Sequence, residues 1–468
     1  MSKLFVYPQE DTIAALATPP GEGGIAVIRV SGKHALEALS RVFKRATPGS
    51  VFEMKTHRLY RGHVLDPESK ATIDSVLCVV MRSPNSYTGE DVVEIHCHGG
   101  YLVPKMILDV LFKNGVRPAQ PGEFTLRAFL NGKMDLAQAE AVADVVHAQT
   151  ERSLRQAELQ LEGMLSKKIE GFKESILDTL AEIEAQVDFP EEDIDPILKD
   201  EITRRIKKTL EELQKLLSTY EEGRIIKYGV YTAILGKPNV GKSSLLNLLV
   251  MKERAIVSPY PGTTRDFIEE TVEIKGIPLR LIDTAGLRAT ADDIEKVGVE
   301  LAKKKAQEAE LIIAVIDGST KLDENDLEVL GKIQGKKSII VLNKLDLPQE
   351  VSEKELYKLA PKSRIVKTSA KLGLGIEELK DTILEVLTGR ETHPREDEVI
   401  ITELRHKVAI QKTKESLLSF LESLERGESP EFLAVDLRSA LDSLGEITGE
   451  TSTEDILGRI FSRFCIGK

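Results

Sequence analysis

The stretch GKPNVGKSS, Gly236 to Ser244, places two glycines and a lysine in the spacing G-x-x-x-x-G-K-[ST]. An apolar run, YGVYTAILG, precedes it and the helical pattern SSLLNLLV follows. Between a strand and a helix, such glycines let main-chain N–H groups close around phosphates. Lys242 then reaches the β- and γ-phosphate oxygens and the Ser243 hydroxyl ligates Mg²⁺. Asn239, Val240, Gly241, Lys242, Ser243 and Ser244 are the expected phosphate contacts. In PGTTRD, Thr264 is the expected switch threonine for Mg²⁺ and the γ-phosphate. In Asp283-Thr284-Ala285-Gly286, Asp283 can hold a Mg²⁺-bound water, and the Gly286 N–H can sense the γ-phosphate. Asn343-Lys344-Leu345-Asp346 follows the run SIIVLN. The Asp346 carboxylate can accept from guanine N1–H and the 2-amino group. Adenine has neither donor, so an unpaired carboxylate rejects ATP. Ser369, Ala370 and Lys371, in TSAK, are expected to support guanine O6 from the backbone. Each tetrapeptide is weak alone; in this order after apolar strands they specify a GTP hydrolase.

One expected part is missing. Leu287 stands where many GTPases carry a glutamine that orients the attacking water. Phosphoryl transfer needs charge stabilisation more than covalent chemistry, so another cation must act. Arg265 and Arg288 could supply it, or could form ordinary surface ion pairs. The Asn239 amide oxygen could ligate a monovalent cation, or could serve only as a turn residue.

The surrounding texture assigns elements to hold these groups. Residues 1–120 read as an α+β domain with β-branched runs at GGIAVIRVSG, DSVLCVVMRS and DVVEIHCHGG and a helix in GYLVPKMILDVLFKNG. Residues 121–225 read as helical, broken by the acidic DFPEEDIDP, with a helix from about Lys199 to Glu222. Residues 226–388 alternate strand and helix, as in a doubly wound, mostly parallel sheet. Helical texture returns over 389–468. The expected fold is therefore multidomain: an N-terminal α+β domain, then a helical domain with an inserted α/β P-loop GTPase domain. Residues 123–222 and 400–468 are expected to share a core.

Composition narrows the function classes. The 468 residues are 41% hydrophobic and 30% charged, with a formal net charge of −12. That charge disfavours indiscriminate binding to nucleic acid or anionic membrane, while leaving room for a local basic groove. No apolar run reaches the roughly 18 residues that span a bilayer, and MSKLFVYPQED lacks a signal-peptide core. Three cysteines, Cys78, Cys97 and Cys465, make no disulfide framework and suggest a reducing cytoplasm. The HCH at His96–His98 suits a tetrahedral metal poorly, because neighbours on a strand face opposite ways. The terminal CIGK superficially matches a prenylation box, but its final lysine and lack of a polybasic run argue against lipidation.

Longer segments carry a resemblance. DTIAALATPPGEGGIAVIRVSG, SYTGEDVVEIHCHGG, RPAQPGEFTLRAFLNGKMDLAQAEAVADVV and the final CIGK, together with the inserted nucleotide motifs, resemble the MnmE (TrmE) family of tRNA-modification GTPases over essentially the whole chain. The resemblance implies that K⁺ replaces an arginine finger when two GTPase domains dimerise. Asn239 matches the K⁺-ligating asparagine. Ser258, Pro259, Tyr260, Pro261, Gly262, Thr263 and Thr264 match the loop around the ion, with Ser258, Tyr260 and Thr263 at ligand positions. Glu295 matches the glutamate that orients the attacking water. The family also implies a one-carbon tetrahydrofolate (5-formyl or 5,10-methylene) bound between the N-terminal domains of a homodimer. Arg29, Glu94 and Lys133 match its contacts, and Lys468 matches the tail that approaches it. Cys465, in that tail, resembles a catalytic thiol position.

The function so implied is K⁺-stimulated GTP hydrolysis. With an FAD-containing partner of the MnmG (GidA) type, in a heterotetramer, it would install an aminomethyl or carboxymethylaminomethyl group at C5 of the wobble uridine of certain tRNAs. A ribosome-assembly or RNA-chaperone GTPase is the alternative, and would add a basic RNA-binding module. A membrane-remodelling GTPase would need a membrane-binding patch.

Overall fold

A computed structural model of the chain describes residues 11–188, 196–252, 269–282, 309–389 and 398–468. The chain forms two compact units, one of Met1–Val146, Gln160–Glu182 and Leu437–Lys468, the other of His147–Leu159 and Ile183–Asp436.

In the first unit, strands β1 (Ile13–Leu16), β2 (Ala26–Ser31), β3 (Phe43–Arg45), β4 (Leu59–Leu65), β5 (Thr72–Met81), β6 (Val92–Cys97) and β7 (Arg117–Pro118) make one sheet, ordered β3-β4-β5-β6-β2-β1-β7. Alternation sorts its faces. Ile28 and Val30 of β2, Val76, Cys78 and Val80 of β5, and Val93 and Ile95 of β6 are buried in one core with helices α1 (Ala35–Val42) and α2 (Leu102–Lys113). The intervening residues therefore turn to the other face, which is how Arg29 comes to lie opposite Glu94. Helix α3 (Glu123–Leu130) is buried at Phe124, Leu126 and Ala128. It also buries Glu123 completely. An isolated buried carboxylate would be costly. Glu123 avoids that by accepting from Arg117 Nη2 at 2.6 Å and Arg127 Nη2 at 3.0 Å.

In the second unit, β8 (Val230–Leu235), β9 (Glu269–Ile274), β10 (Ile277–Ile282), β11 (Leu311–Asp317), β12 (Lys337–Asn343) and β13 (Arg364–Lys367) are ordered β13-β12-β11-β8-β10-β9. All pairs are parallel except β9 with β10, a hairpin at the edge. β11 is buried along its whole length. Leu311, Ile313 and Val315 enter one apolar cluster, and Ile312, Ala314 and Ile316 enter another. A strand buried on both faces reads as an unbroken apolar run, which is why LIIAVID is legible.

The helix expected over Lys199–Glu222 is two helices, Pro196–Leu217 and Tyr220–Tyr228. Proline suits the first helical position, where its absent N–H would be unpaired anyway. The break comes at Ser218–Thr219, whose hydroxyls donate back to the Lys215 and Leu216 carbonyls. Helix Pro196–Leu217 packs along Leu404–Arg426. Ile202, Ile206 and Leu213 on one and Ile410, Leu417 and Phe420 on the other are fully buried, at helical spacing. Lys414 Nζ donates to Gln214 Oε1 at 2.7 Å. The architecture is thus an N-terminal α+β domain, helices, and an α/β unit of the P-loop type set among them. Among the described residues, no helix is long and apolar enough to cross a membrane.

Candidate functional site

The phosphate loop runs from the end of β8 into helix Lys242–Lys252. Two glycines are required by close approach as well as by dihedral. A Cβ at Gly236 (φ 155°) would stand 2.4 Å from the Val315 carbonyl oxygen, and one at Gly241 (φ 101°) 2.3 Å from Asn343 Nδ2. Asn239 takes the left-handed conformation at φ 65°, which asparagine tolerates better than most residues. Its side chain is exposed, as are those of Ser243 and Ser244. Lys242 Nζ donates to the carbonyls of Gly236 (2.9 Å) and Lys237 (2.8 Å). The ammonium is thus held over the loop by oxygens whose place phosphate oxygens can take. A small cleft lined by Ile234, Lys242, Ser243, Leu246 and Ile282 opens beside it.

The residues expected to recognise the base meet at the carboxyl ends of β12 and β13, as ligand sites in parallel sheets do. Buried Asn343 joins them to the phosphate loop. Its Nδ2 donates to the Val240 carbonyl at 2.8 Å, and its Oδ1 accepts from Ala370 N at 2.9 Å and Thr368 Oγ1 at 3.1 Å. Ser369 donates its hydroxyl to Asp346 at 2.6 Å, and this bond holds the Asp346 carboxyl below its ordinary range. Asp346 therefore stays ionised and keeps its acceptor capacity. Leu345 N donates to the Thr368 carbonyl at 2.9 Å, locking the two loops together. Lys371 is exposed at the rim.

Three ion pairs, on two lysines, escaped the sequence reading. Lys344 Nζ reaches Asp317 at 2.6 Å from a left-handed backbone (φ 67°). Burial works to raise the Asp317 carboxyl, but hydrogen bonds from Lys344 and Ser319 outweigh it and hold the group low. Lys237, inside the phosphate loop, pairs with Asp323 at 2.9 Å and with buried Asp326 at 2.7 Å. The only sequence trace of Asp317 is its place as the last residue of the β11 run, level with Asn343 across the parallel ladder.

Ser258, Pro259, Tyr260, Pro261, Gly262, Thr263, Thr264, Arg265, Asp283, Thr284, Ala285, Gly286, Leu287, Arg288 and Glu295 lie outside the described residues.

A second cluster forms in the first unit. Arg29 Nε donates to Glu94 Oε1 at 2.9 Å, and Nη1 to the Gly467 carbonyl at 3.4 Å. The guanidinium lies over the rings of Tyr87 (5.5 Å) and Phe124 (5.8 Å). The final residues reach this place because helix Glu454–Phe461 packs on α3, with Phe461 and Phe464 in one apolar cluster with Leu126. Phe124 N donates to the Lys468 carbonyl at 3.3 Å. Arg29, Glu94 and the Lys468 backbone are thus brought together. Lys133 instead donates to the Pro84 carbonyl at 3.0 Å. Cys465 is half-buried. Tyr87 and Phe124 were not foreseen, since aromatic residues far apart in sequence give no local pattern. In the HCH segment, His98 Nδ1 pairs with Asp74 at 2.7 Å and Cys97 points into the core; among the described residues, no three His, Cys, Asp or Glu side chains are grouped to hold a metal.

Comparison with known proteins agrees with this arrangement. Residues 12–133 match the family described as GTP-binding protein TrmE N-terminus, and residues 136–465 match the MnmE helical domain. The tRNA modification GTPase MnmE of Thermoanaerobacter pseudethanolicus is 48% identical over 458 residues, covering 98% of this chain and 99% of that protein. The protein of the same name from Clostridioides difficile is 47% identical over 459 residues, with 98% and 99% covered. The chain therefore belongs to the MnmE family of tRNA modification GTPases and is a GTP-hydrolysing enzyme.

Proposed function

We propose that this chain is a K⁺-stimulated GTPase of tRNA wobble-uridine modification. It works in the cytoplasm as a homodimer with an FAD-containing partner. Together they add an aminomethyl or carboxymethylaminomethyl group at C5, taking the carbon from a tetrahydrofolate. The observation that carries the reading is the pairing of Arg29 with Glu94 between Tyr87 and Phe124, in the same chain as a guanine site. A pterin presents amide and amino donors that the carboxylate can accept. Half-buried Tyr87, packed against the fully buried Phe124, gives it an apolar face, and Arg29 suits an anionic tail. Lys133 and Lys468 are the further proposed folate contacts.

At the nucleotide site, the exposed Ser243 hydroxyl would hold Mg²⁺ with Thr264, and exposed Asn239 would hold K⁺ with the loop of Ser258, Tyr260 and Thr263. These ions would supply positive charge to the phosphates. Lys242 binds the phosphate oxygens, Asp346 selects guanine, and Glu295 orients the attacking water. The domain ranges 1–120, 121–225, 226–388 and 389–468 are proposed with this assignment.

Wobble-nucleoside analysis of tRNA from cells lacking the protein should show unmodified C5; an unaltered nucleoside profile would refute the reading. Retention of labelled folate on a filter tests the pocket separately. Replacing K⁺ by Na⁺ should cut hydrolysis sharply with GDP binding intact, whereas equal rates in both salts would exclude the cation role. Glu295→Ala should lower kcat more than tenfold while nucleotide affinity holds.

A further inference from the structure

We propose that the β3–β4 edge of the N-terminal sheet is an RNA-contacting surface that receives the phosphate backbone of the tRNA; it rests on the tRNA reading above. The chain as a whole carries −12, so RNA can settle only where positive charge is locally in excess. Between Glu37 and Asp66 there are six cations, Arg41, Lys44, Arg45, Lys55, Arg58 and Arg61, against one acid, Glu53. That acid is engaged: Glu53 Oε2 accepts from Ser50 N at 2.9 Å in a capping box.

The fold gathers these charges along one edge. β3 is the outermost strand, with Lys44 opposite His63 on β4. Ala46 N donates to the Arg61 carbonyl at 2.9 Å. A further cation, Arg82, ties the 50–58 segment to the end of β5. Its Nη2 donates to the Phe52 carbonyl at 2.8 Å, and its main-chain N donates to Thr56 Oγ1 at 3.2 Å. His57 N donates to the Val80 carbonyl at 2.9 Å. Lys44, Lys55, Arg58 and Arg61 are exposed on this framework.

Aromatic groups lie among the cations. Phe52 is 52% exposed on a pinned turn. The Arg45 guanidinium lies over the Tyr60 ring at 4.9 Å. Lysines on an edge strand can also serve simply to prevent strand-to-strand association. That purpose requires neither Arg58 and Lys55 in the turn nor an exposed phenyl ring. Cations flanking an open aromatic face fit RNA, where phosphates take the charges and an unstacked base takes the ring.

The test uses the full chain and a tRNA transcript in filter binding at several salt concentrations. The triple variant Lys44→Gln/Arg58→Gln/Arg61→Gln should bind at least tenfold more weakly. The slope of log K against log salt should fall by about two to three, roughly 0.7–0.9 for each lost phosphate contact. Phe52→Ala should weaken binding about tenfold with the slope kept, since stacking is not ionic. GTP hydrolysis and the melting temperature should not change, which shows a folded variant with an intact nucleotide site. Wild-type affinity and slope in the triple variant would overturn the surface. Failure of the unaltered chain to bind tRNA would overturn the tRNA reading and this surface with it. Competition by polyglutamate as effective as by unlabelled tRNA would reassign the edge to an acidic protein.

Discussion

The nucleotide site and the Arg29–Glu94 cluster are both built on sheets, yet they are assembled in opposite ways. In the nucleotide site each contact group is a short contiguous run at the carboxyl end of a strand, and parallel pairing alone brings the runs together. Much of the recognition is by backbone, so the sequence must specify turn shape: Gly236, Asn239 and Gly241 at positive φ. In the N-terminal cluster the contacts are side chains. Arg29 meets Glu94 across 65 positions and Gly467 across 438. Recognition by backbone leaves a local motif; recognition by side chains across strands leaves single residues that only folding joins.

The largest test of that contrast is Lys242→Ala. The other loop ammonium, Lys237, is engaged by Asp323 and Asp326. Lys242 has carbonyl partners in the loop, and phosphate oxygens are its proposed partners when nucleotide binds. Its loss should lower kcat/KM for GTP about a thousandfold, roughly 4 kcal/mol of transition-state stabilisation. A drop of less than tenfold would mean that the backbone cradle needs no cation. Next in size is Asp346→Asn. The new amide donates where the carboxylate accepted, so GTP affinity should fall about a hundredfold while xanthosine triphosphate affinity rises. Competition binding with both nucleotides reads this directly.

The same contrast explains what was legible. The strands YTAILG, LIIAVID and SIIVLN were plain because double-sided burial writes an unbroken apolar run. Lys242, Ser243, Asn343 and Asp346 were plain because spacing after a strand defines their geometry. The edge hairpin partner β9 was not foreseen, since EETVEI opens on two adjacent acids, alternates only over Val272–Ile274 and carries no motif. Asp317 and Lys237 were missed because each depends on a partner delivered by another loop. Arg29, Glu94 and Lys133 were reached only by family likeness. Taken from the residues alone they would be three surface charges, and Tyr87 and Phe124 had no signal at all.

Arg29→Gln sharpens the comparison from the other unit. The pair with Glu94 is about four-fifths buried on each side. Its loss should weaken labelled folate binding more than tenfold. The melting temperature should also fall, since Glu94 is left largely buried without its guanidinium partner. GTP turnover by the isolated chain should stay as it was. A parallel loss of turnover would show that the two sites are not separable as the contrast requires.

The smallest expected effect is Asp317→Asn. Asp317 is not among the proposed nucleotide contacts; it fixes the ammonium of Lys344, which is among them. GDP affinity should fall about three- to tenfold, with kcat at saturating GTP unchanged. If Asp317 acts through Lys344, then the double variant should lose no more than Lys344→Met alone. The pH dependence has a defined sign. A carboxyl held below its ordinary value of about 3.9 contributes fully above that value and loses its contribution as pH falls through the depressed one. The gap in GDP affinity between wild type and Asp317→Asn should therefore be constant from about pH 8 to pH 5, and close only below about pH 4 as the wild type takes up its proton. A gap that narrowed near pH 6.5 would assign the effect to a different titrating group and leave Lys344 positioned by something other than Asp317.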